Sequence, residues 1–201
     1  MATYILNPNE DHAADVFTGW TVYPPGTDIF DILDDNSGNY IYSDIGLIGM
    51  DFRVGFETFT LGAGETIDSV QCCFDALTGN TRSETAVMRI RLEDSSNSDY
   101  FIDAHTVTTN GGNPATYCGT ATTTSDGSTA WVQGDIDTIR MDVQVYSLSG
   151  GSPSHNVVIT QAYIVVETTI PVVSAPTYTS DDNLILKNGT LVLKEGLTII
   201  K

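Results

Sequence analysis

Three histidines, three cysteines and twenty-six carboxylates are the groups of this 201-residue chain with reactive chemistry to offer. His12, His105 and His155 lie far apart in sequence beside turn-forming residues. No His-x-x-x-His, Cys-x-x-Cys or Gly-x-Ser-x-Gly pattern occurs, so zinc hydrolysis and serine catalysis lack their local signatures. Two acidic runs, residues 34–39 (DDNSGN) and 94–99 (DSSNSD), offer several hard oxygens of the kind calcium takes. Neither has the spacing of a twelve-residue calcium loop, and turn preference alone accounts for both. A glycosidase needs two carboxylates at a fixed separation, and acids are too abundant here to single out a pair. The chain therefore reads as a non-enzyme, with no catalytic residue, cofactor or metal ligand assigned.

Cys72 and Cys73 are adjacent. On an alternating strand they point to opposite faces, so at most one could pair with Cys118. Three cysteines make no disulfide framework, and the expectation is reduced, buried thiols. The aromatic residues Trp20, Tyr23, Tyr40, Tyr42, Trp131, Tyr146 and Tyr163 are candidates for a platform on which sugar rings stack. Of these, Trp20, Tyr23 and Trp131 form the candidate ligand platform. Against this, both tryptophans lead into strand-like stretches, where burial in a core is the rule.

The elements that position these groups are strands. No window shows a sustained i, i+3, i+4 apolar pattern of helical length. Segments 29–33, 40–43, 48–59, 67–76, 86–93, 100–107, 136–146 and 157–167 are rich in β-branched and aromatic residues. Two of them alternate cleanly. Met88, Ile90 and Leu92 would face a core, with Arg89, Arg91 and Glu93 turned to solvent. Ile139, Met141, Val143 and Val145 do the same against Arg140, Asp142 and Gln144. Arg89 and Arg91 are expected to pair with neighbouring carboxylates at the surface or across a subunit contact. Clusters of Gly, Asn, Asp, Ser and Thr separate the segments. The pattern predicts an all-β chain, an antiparallel jelly-roll-like β-sandwich of about eight strands over residues 16–168. An immunoglobulin-like sandwich fits the spacing but lacks the buried-Trp and paired-Cys pattern. Residues 1–15 read as an amino-terminal arm in which Tyr4, Ile5 and Leu6 could add an edge strand, stopped by Asn7-Pro8-Asn9. Residues 169–182 read as an extended linker.

The last segment, residues 183–201 (NLILKNGTLVLKEGLTIIK), differs from all of this. Lys187, Lys194 and Lys201 recur every seven residues and are the only lysines of the chain. The segment carries +2, against −20 for the rest and −18 overall. Asn188-Gly189 favours a two-residue turn that would pair Leu186 with Leu191 and Leu184 with Leu193. Glu195-Gly196 would add a third strand, pairing Leu193 with Thr198 and Leu191 with Ile200. Three strands are too few to stand alone in water. Leu184, Leu186, Lys187, Leu191, Val192, Leu193, Lys194, Ile199, Ile200 and Lys201 are therefore expected to form an assembly contact. The acidity of the whole argues against nucleic acid as a partner. No apolar run is long enough to span a bilayer, so no membrane partner is expected. The start MATYI lacks a basic region followed by an apolar one, which leads to the expectation that the chain is made and assembled in a cytoplasm.

Thr18-Gly19-Trp20-Thr21, Phe30-Asp31-Ile32-Leu33-Asp34-Asp35, Asn39-Tyr40-Ile41-Tyr42-Ser43 and a strand with Phe52, Val54 and Phe56 follow one another. This series resembles jelly-roll modules in structural proteins of tailed-bacteriophage virions, over residues 15–168. The Asn-Gly-punctuated tail is similar to repeats of phage fibre and spike shafts, where three chains wrap together. The resemblance implies a virion component: a capsid decoration, head-fibre or tail-associated protein. It also implies a homotrimer that contacts the major capsid or other virion proteins, and it carries over no catalytic residue. The competing reading is a carbohydrate-binding module or receptor-binding domain on the same scaffold, with host glycans as partner.

Overall fold

The computed structural model describes residues 1–11, 19–25, 27–34, 38–43, 48–49, 51–78, 85–93, 99–108, 112–149, 157–170, 184–187 and 190–193. The chain divides into two compact units, Met1–Ile170 and Pro171–Lys201.

The first unit is an antiparallel β-sandwich. One sheet, here sheet A, has the order β3 (Trp20–Tyr23), β4 (Tyr40–Ser43), β11 (Val157–Thr169), β6 (Thr66–Thr78) and β9 (Ala115–Cys118), with β1 (Ala2–Leu6) also on β11. The other, sheet B, runs β2 (Pro8–Asp11), β5 (Asp51–Phe56), β10 (Arg140–Ser149), β7 (Thr85–Glu93) and β8 (Asp99–Thr108). The alternation read in the sequence sets the inner faces. Met88, Ile90 and Leu92 on β7 and Met141, Val143 and Val145 on β10 are buried against Val70, Cys72, Phe74, Ile159, Ala162, Ile164 and Val166 of sheet A. Removing a buried side chain such as Ile90 to alanine in a layer of this kind costs about 2–5 kcal/mol.

Several elements depart from the sequence reading. Residues 29–33 form a short helix, α1 (Ile29–Leu33), instead of a strand. Ile29, Ile32 and Leu33 stand at i, i+3 and i+4, and all three are buried, so one helical face meets the core. A five-residue apolar run reads as strand or helix equally well until its neighbours are known. The predicted 48–59 strand shrinks to β5, and of the predicted 136–146 strand Ile136 closes a second short helix, α2 (Gln133–Ile136), so that the strand starts only at Arg140. Ile136 and Ile139 are nevertheless buried.

The amino-terminal residues contribute a strand to each sheet. β1 pairs with β11 with Ala2 opposite Thr168, and after Asn7 the chain passes to sheet B, where β2 pairs with β5. A carboxylate locks this start in place. Glu65 accepts hydrogen bonds from Gly62 N at 2.8 Å, from the Tyr4 hydroxyl at 3.2 Å and from the Thr168 hydroxyl. The Thr168 and Gly62 donors, in that order, favour its ionised form and hold its pKa below the ordinary value.

Cys73 and Cys118 are joined by a disulfide between the paired strands β6 and β9, while Cys72 is free and buried. This corrects the expectation of three reduced thiols. The alternation argument that only one of the adjacent pair could reach Cys118 agrees with the outcome, and strand register selects Cys73. Burial pushes the Cys72 thiol pKa far above its usual value, so it packs as a small hydrophobe.

In the second unit β12 (Leu184–Lys187) and β13 (Thr190–Leu193) form a two-stranded sheet. Leu184 pairs with Leu193 and Leu186 with Leu191, the register a two-residue turn dictates. The proposed third strand, with Lys194, Ile199, Ile200 and Lys201, lies outside the described residues, as do Asn188 and Gly189.

Candidate ligand-binding face

Each sheet turns one face inward and one outward, and the outward faces hold the groups that could meet a ligand. On sheet A the alternation of β4 buries Ile41 and turns Tyr40 and Tyr42 outward. Tyr23 of β3 pairs with Tyr40 across the strands, and their rings stack at 4.9 Å between centroids with planes 18° apart. Tyr42 continues the row, tilted by 49° and 6.1 Å from Tyr40. Tyr23 keeps 51% of its surface exposed, so the row opens at the edge of the sheet. Tyrosine suits such a place because its ring is an apolar plate and its hydroxyl a hydrogen-bonding tip.

The two tryptophans of the expected platform lie elsewhere. Trp20 is 7% exposed and packs edge-on against Phe52 at 5.3 Å. Trp131 is 3% exposed, and its indole N–H donates to the Thr122 carbonyl at 3.0 Å. Both are core residues, and burial withdraws them from any surface site. Of the three platform candidates only Tyr23 is exposed, and the structure supplies Tyr40 and Tyr42 as its neighbours. Among the assembly candidates, Leu184, Leu186, Lys187, Leu191, Val192 and Leu193 stand on the hairpin strands.

The outward face of sheet B is built differently. Register places Arg53, Asp142 and Arg91 in one row across β5, β10 and β7. Arg53 meets Asp142 at 3.1 Å and Glu93 at 3.0 Å, while Arg91 meets Asp142 at 2.6 Å and Glu93 at 3.5 Å. Asp51 joins at 4.0 Å from Arg91. Glu93 and Asp142 were expected in solvent, yet each is only 1% exposed. Arg91 thus finds carboxylates, as the sequence predicted, although in a buried cluster. Arg89 instead lies over the ring of Tyr146, 3.5 Å from its centroid. Burial raises the pKa of Asp142, which Arg91 opposes and Asp51 reinforces.

The remaining candidates add no site. His105 is half-buried beside Phe74 and Tyr117, with ring centroids 6.1 and 6.2 Å away, and His12 and His155 lie outside the described residues. Among the described residues no group of histidines, cysteines and carboxylates is arranged to hold a metal ion. Residues 35–37 of one acidic run and 94–98 of the other lie outside the described residues.

No protein-family model matches the chain, and no curated protein does. Among solved structures, a CBM4 carbohydrate-binding module is similar at 9% identity and a TM-score of 0.39, with 82% of this chain and 86% of that one covered. An arabinose-bound α-L-arabinofuranosidase is similar at 10% identity and the same TM-score of 0.39, with 79% of this chain covered but 24% of that one.

Proposed function

We propose that the protein is a non-catalytic carbohydrate-binding β-sandwich whose ligand rests on the tyrosine row of sheet A. The observation that supports this reading is the stacked Tyr23–Tyr40 pair, continued by Tyr42 and half open to solvent at Tyr23. A packed core has no use for an exposed aromatic plate, whereas sugar rings offer apolar C–H faces that stack on one. Calorimetry of the full chain against a panel of soluble glycans tests the reading. Tyr23→Ala is expected to weaken binding of the responding glycan by at least about tenfold, equivalent to about 1.4 kcal/mol. Its thermal midpoint should stay close to that of the parent. Unchanged affinity in Tyr23→Ala would remove the tyrosine row as the site.

A second reading, an assembly protein of a phage particle, has its own support in the tail. β12 and β13 pair with each other and with no other described strand, and a hairpin of this size needs a partner. In that reading the basic hairpin binds sister subunits or other virion proteins while the acidic sandwich projects. The two readings are compatible. Comparing the oligomeric mass of the full chain with that of a chain ending at Ser180 tests the second: an unchanged mass rejects the hairpin as the assembly contact.

A further inference from the structure

The distribution of cations between the two sheets narrows the ligand. The chain has eight lysines and arginines. Arg53, Arg89, Arg91 and Arg140 are on strands of sheet B, the three lysines are in the tail, and Arg82 lies outside the described residues. The six strands of sheet A contain neither lysine nor arginine, but they do carry Asp68, Asp75 and Glu167. The tyrosine row thus sits on a sheet whose strands hold no cation, in a unit, Met1–Ile170, with five arginines against 23 carboxylates and a net charge of −18.

We infer that the tyrosine row takes a neutral glycan and excludes anionic ones, uronate polymers and sulfated chains included; the inference rests on the carbohydrate-binding reading above. Recognition of a carboxylate or sulfate requires a cation or several oriented N–H donors to replace its water. Here an approaching polyanion meets like charge and, among the described residues of sheet A, no compensating cation. A neutral sugar loses none of this. Its ring stacks on tyrosine, and its hydroxyls exchange hydrogen bonds with phenol and backbone groups that carry no charge. The arginines of sheet B do not alter the argument. Arg53 and Arg91 are neutralised by Asp142, Glu93 and Asp51, and the Arg89 guanidinium lies on Tyr146, all on the opposite outward face.

The test uses the full chain in affinity electrophoresis and calorimetry, with neutral β-glucan, xylan and arabinan against polygalacturonate and alginate. Each is measured at about 10 mM and about 150 mM salt, where the screening length falls from about 30 Å to about 8 Å. The expected result is a neutral polysaccharide bound with less than about twofold change between the two salts, sensitive to Tyr23→Ala, and no polyuronate bound at low salt. Polyuronate binding that Tyr23→Ala abolishes would overturn the neutral-ligand inference and leave the tyrosine site standing. Polyuronate binding lost in Arg89→Ala but kept in Tyr23→Ala would overturn it too, by placing an anion site on sheet B. Failure of every glycan to bind would reject the carbohydrate-binding reading itself.

Discussion

The outward faces of the two sheets come from the same alternation of residues and reach opposite ends. Sheet A leaves tyrosines half in solvent and contains no cation. Sheet B collects most of the arginines and draws carboxylates down with them until Glu93 and Asp142 are as buried as the core. The contrast shows that a polar residue pointing away from the core is not thereby a solvated one. On sheet B the charges of Arg53, Arg91, Glu93 and Asp142 pair with each other, whereas on sheet A the tyrosines stack among themselves and leave Tyr23 half exposed.

Perturbing one face at a time can break this division. The largest effect is expected from the disulfide that staples the edge strand β9 onto sheet A. It closes a loop with a sequence separation of 45, for which chain entropy gives about 4 kcal/mol. Urea unfolding of a Cys73→Ala/Cys118→Ala variant should show a loss of that order. Next is Asp142→Ala on sheet B, which removes one of the two buried carboxylates that Arg53 and Arg91 share, leaving them Glu93, and should cost about 3 kcal/mol of unfolding free energy. Its glycan affinity should equal the parent's. A parallel loss of affinity would show that the two faces are not independent.

Acid gives a finer separation, because the two sheets should respond with opposite sign. Glu65 has a lowered pKa, so its stabilising contribution is present above its ordinary value of 4.5 and is lost as pH falls through the folded value. The thermal-midpoint deficit of Glu65→Gln should therefore shrink below that point. Asp142 has a raised pKa, so its contribution is full below 3.8 and is lost as pH rises through the folded value. Asp142→Asn should gain on the parent over that rise. The same direction of change in both variants would contradict the contrast. The smallest effect is Arg89→Ala, which removes one exposed cation–π contact worth about 0.5–1 kcal/mol.

Much of this fold is legible in the chain. β4 occupies residues 40–43 as read, and the alternation of Met88–Ile90–Leu92 and Met141–Val143–Val145 assigns both inner faces. The tail register follows from its turn. What the sequence leaves open depends on residues far away along it. The disulfide waits on β6 and β9 coming into register across forty-five positions. The burial of Asp142 depends on Arg53, brought from β5, and on Arg91, from β7. The site is half legible for the same reason. Tyr23 and Tyr40 are both suspect as aromatics, but only the β3–β4 pairing stacks them, and only the packing of Trp20 on Phe52 takes that tryptophan out of contention.

The pairing of β1 with β11 has a topological consequence. Ala2 lies opposite Thr168, so the path through the sandwich starts and finishes at neighbouring positions on one strand pair, and adjacent strands lie only about 5 Å apart. The body can therefore be spliced into a surface loop of a host protein, arriving and departing at a single point, without stretching either partner. It can equally be circularised there and reopened at the exposed turn of Gly112 and Asn113, with β9 still held by its disulfide to β6.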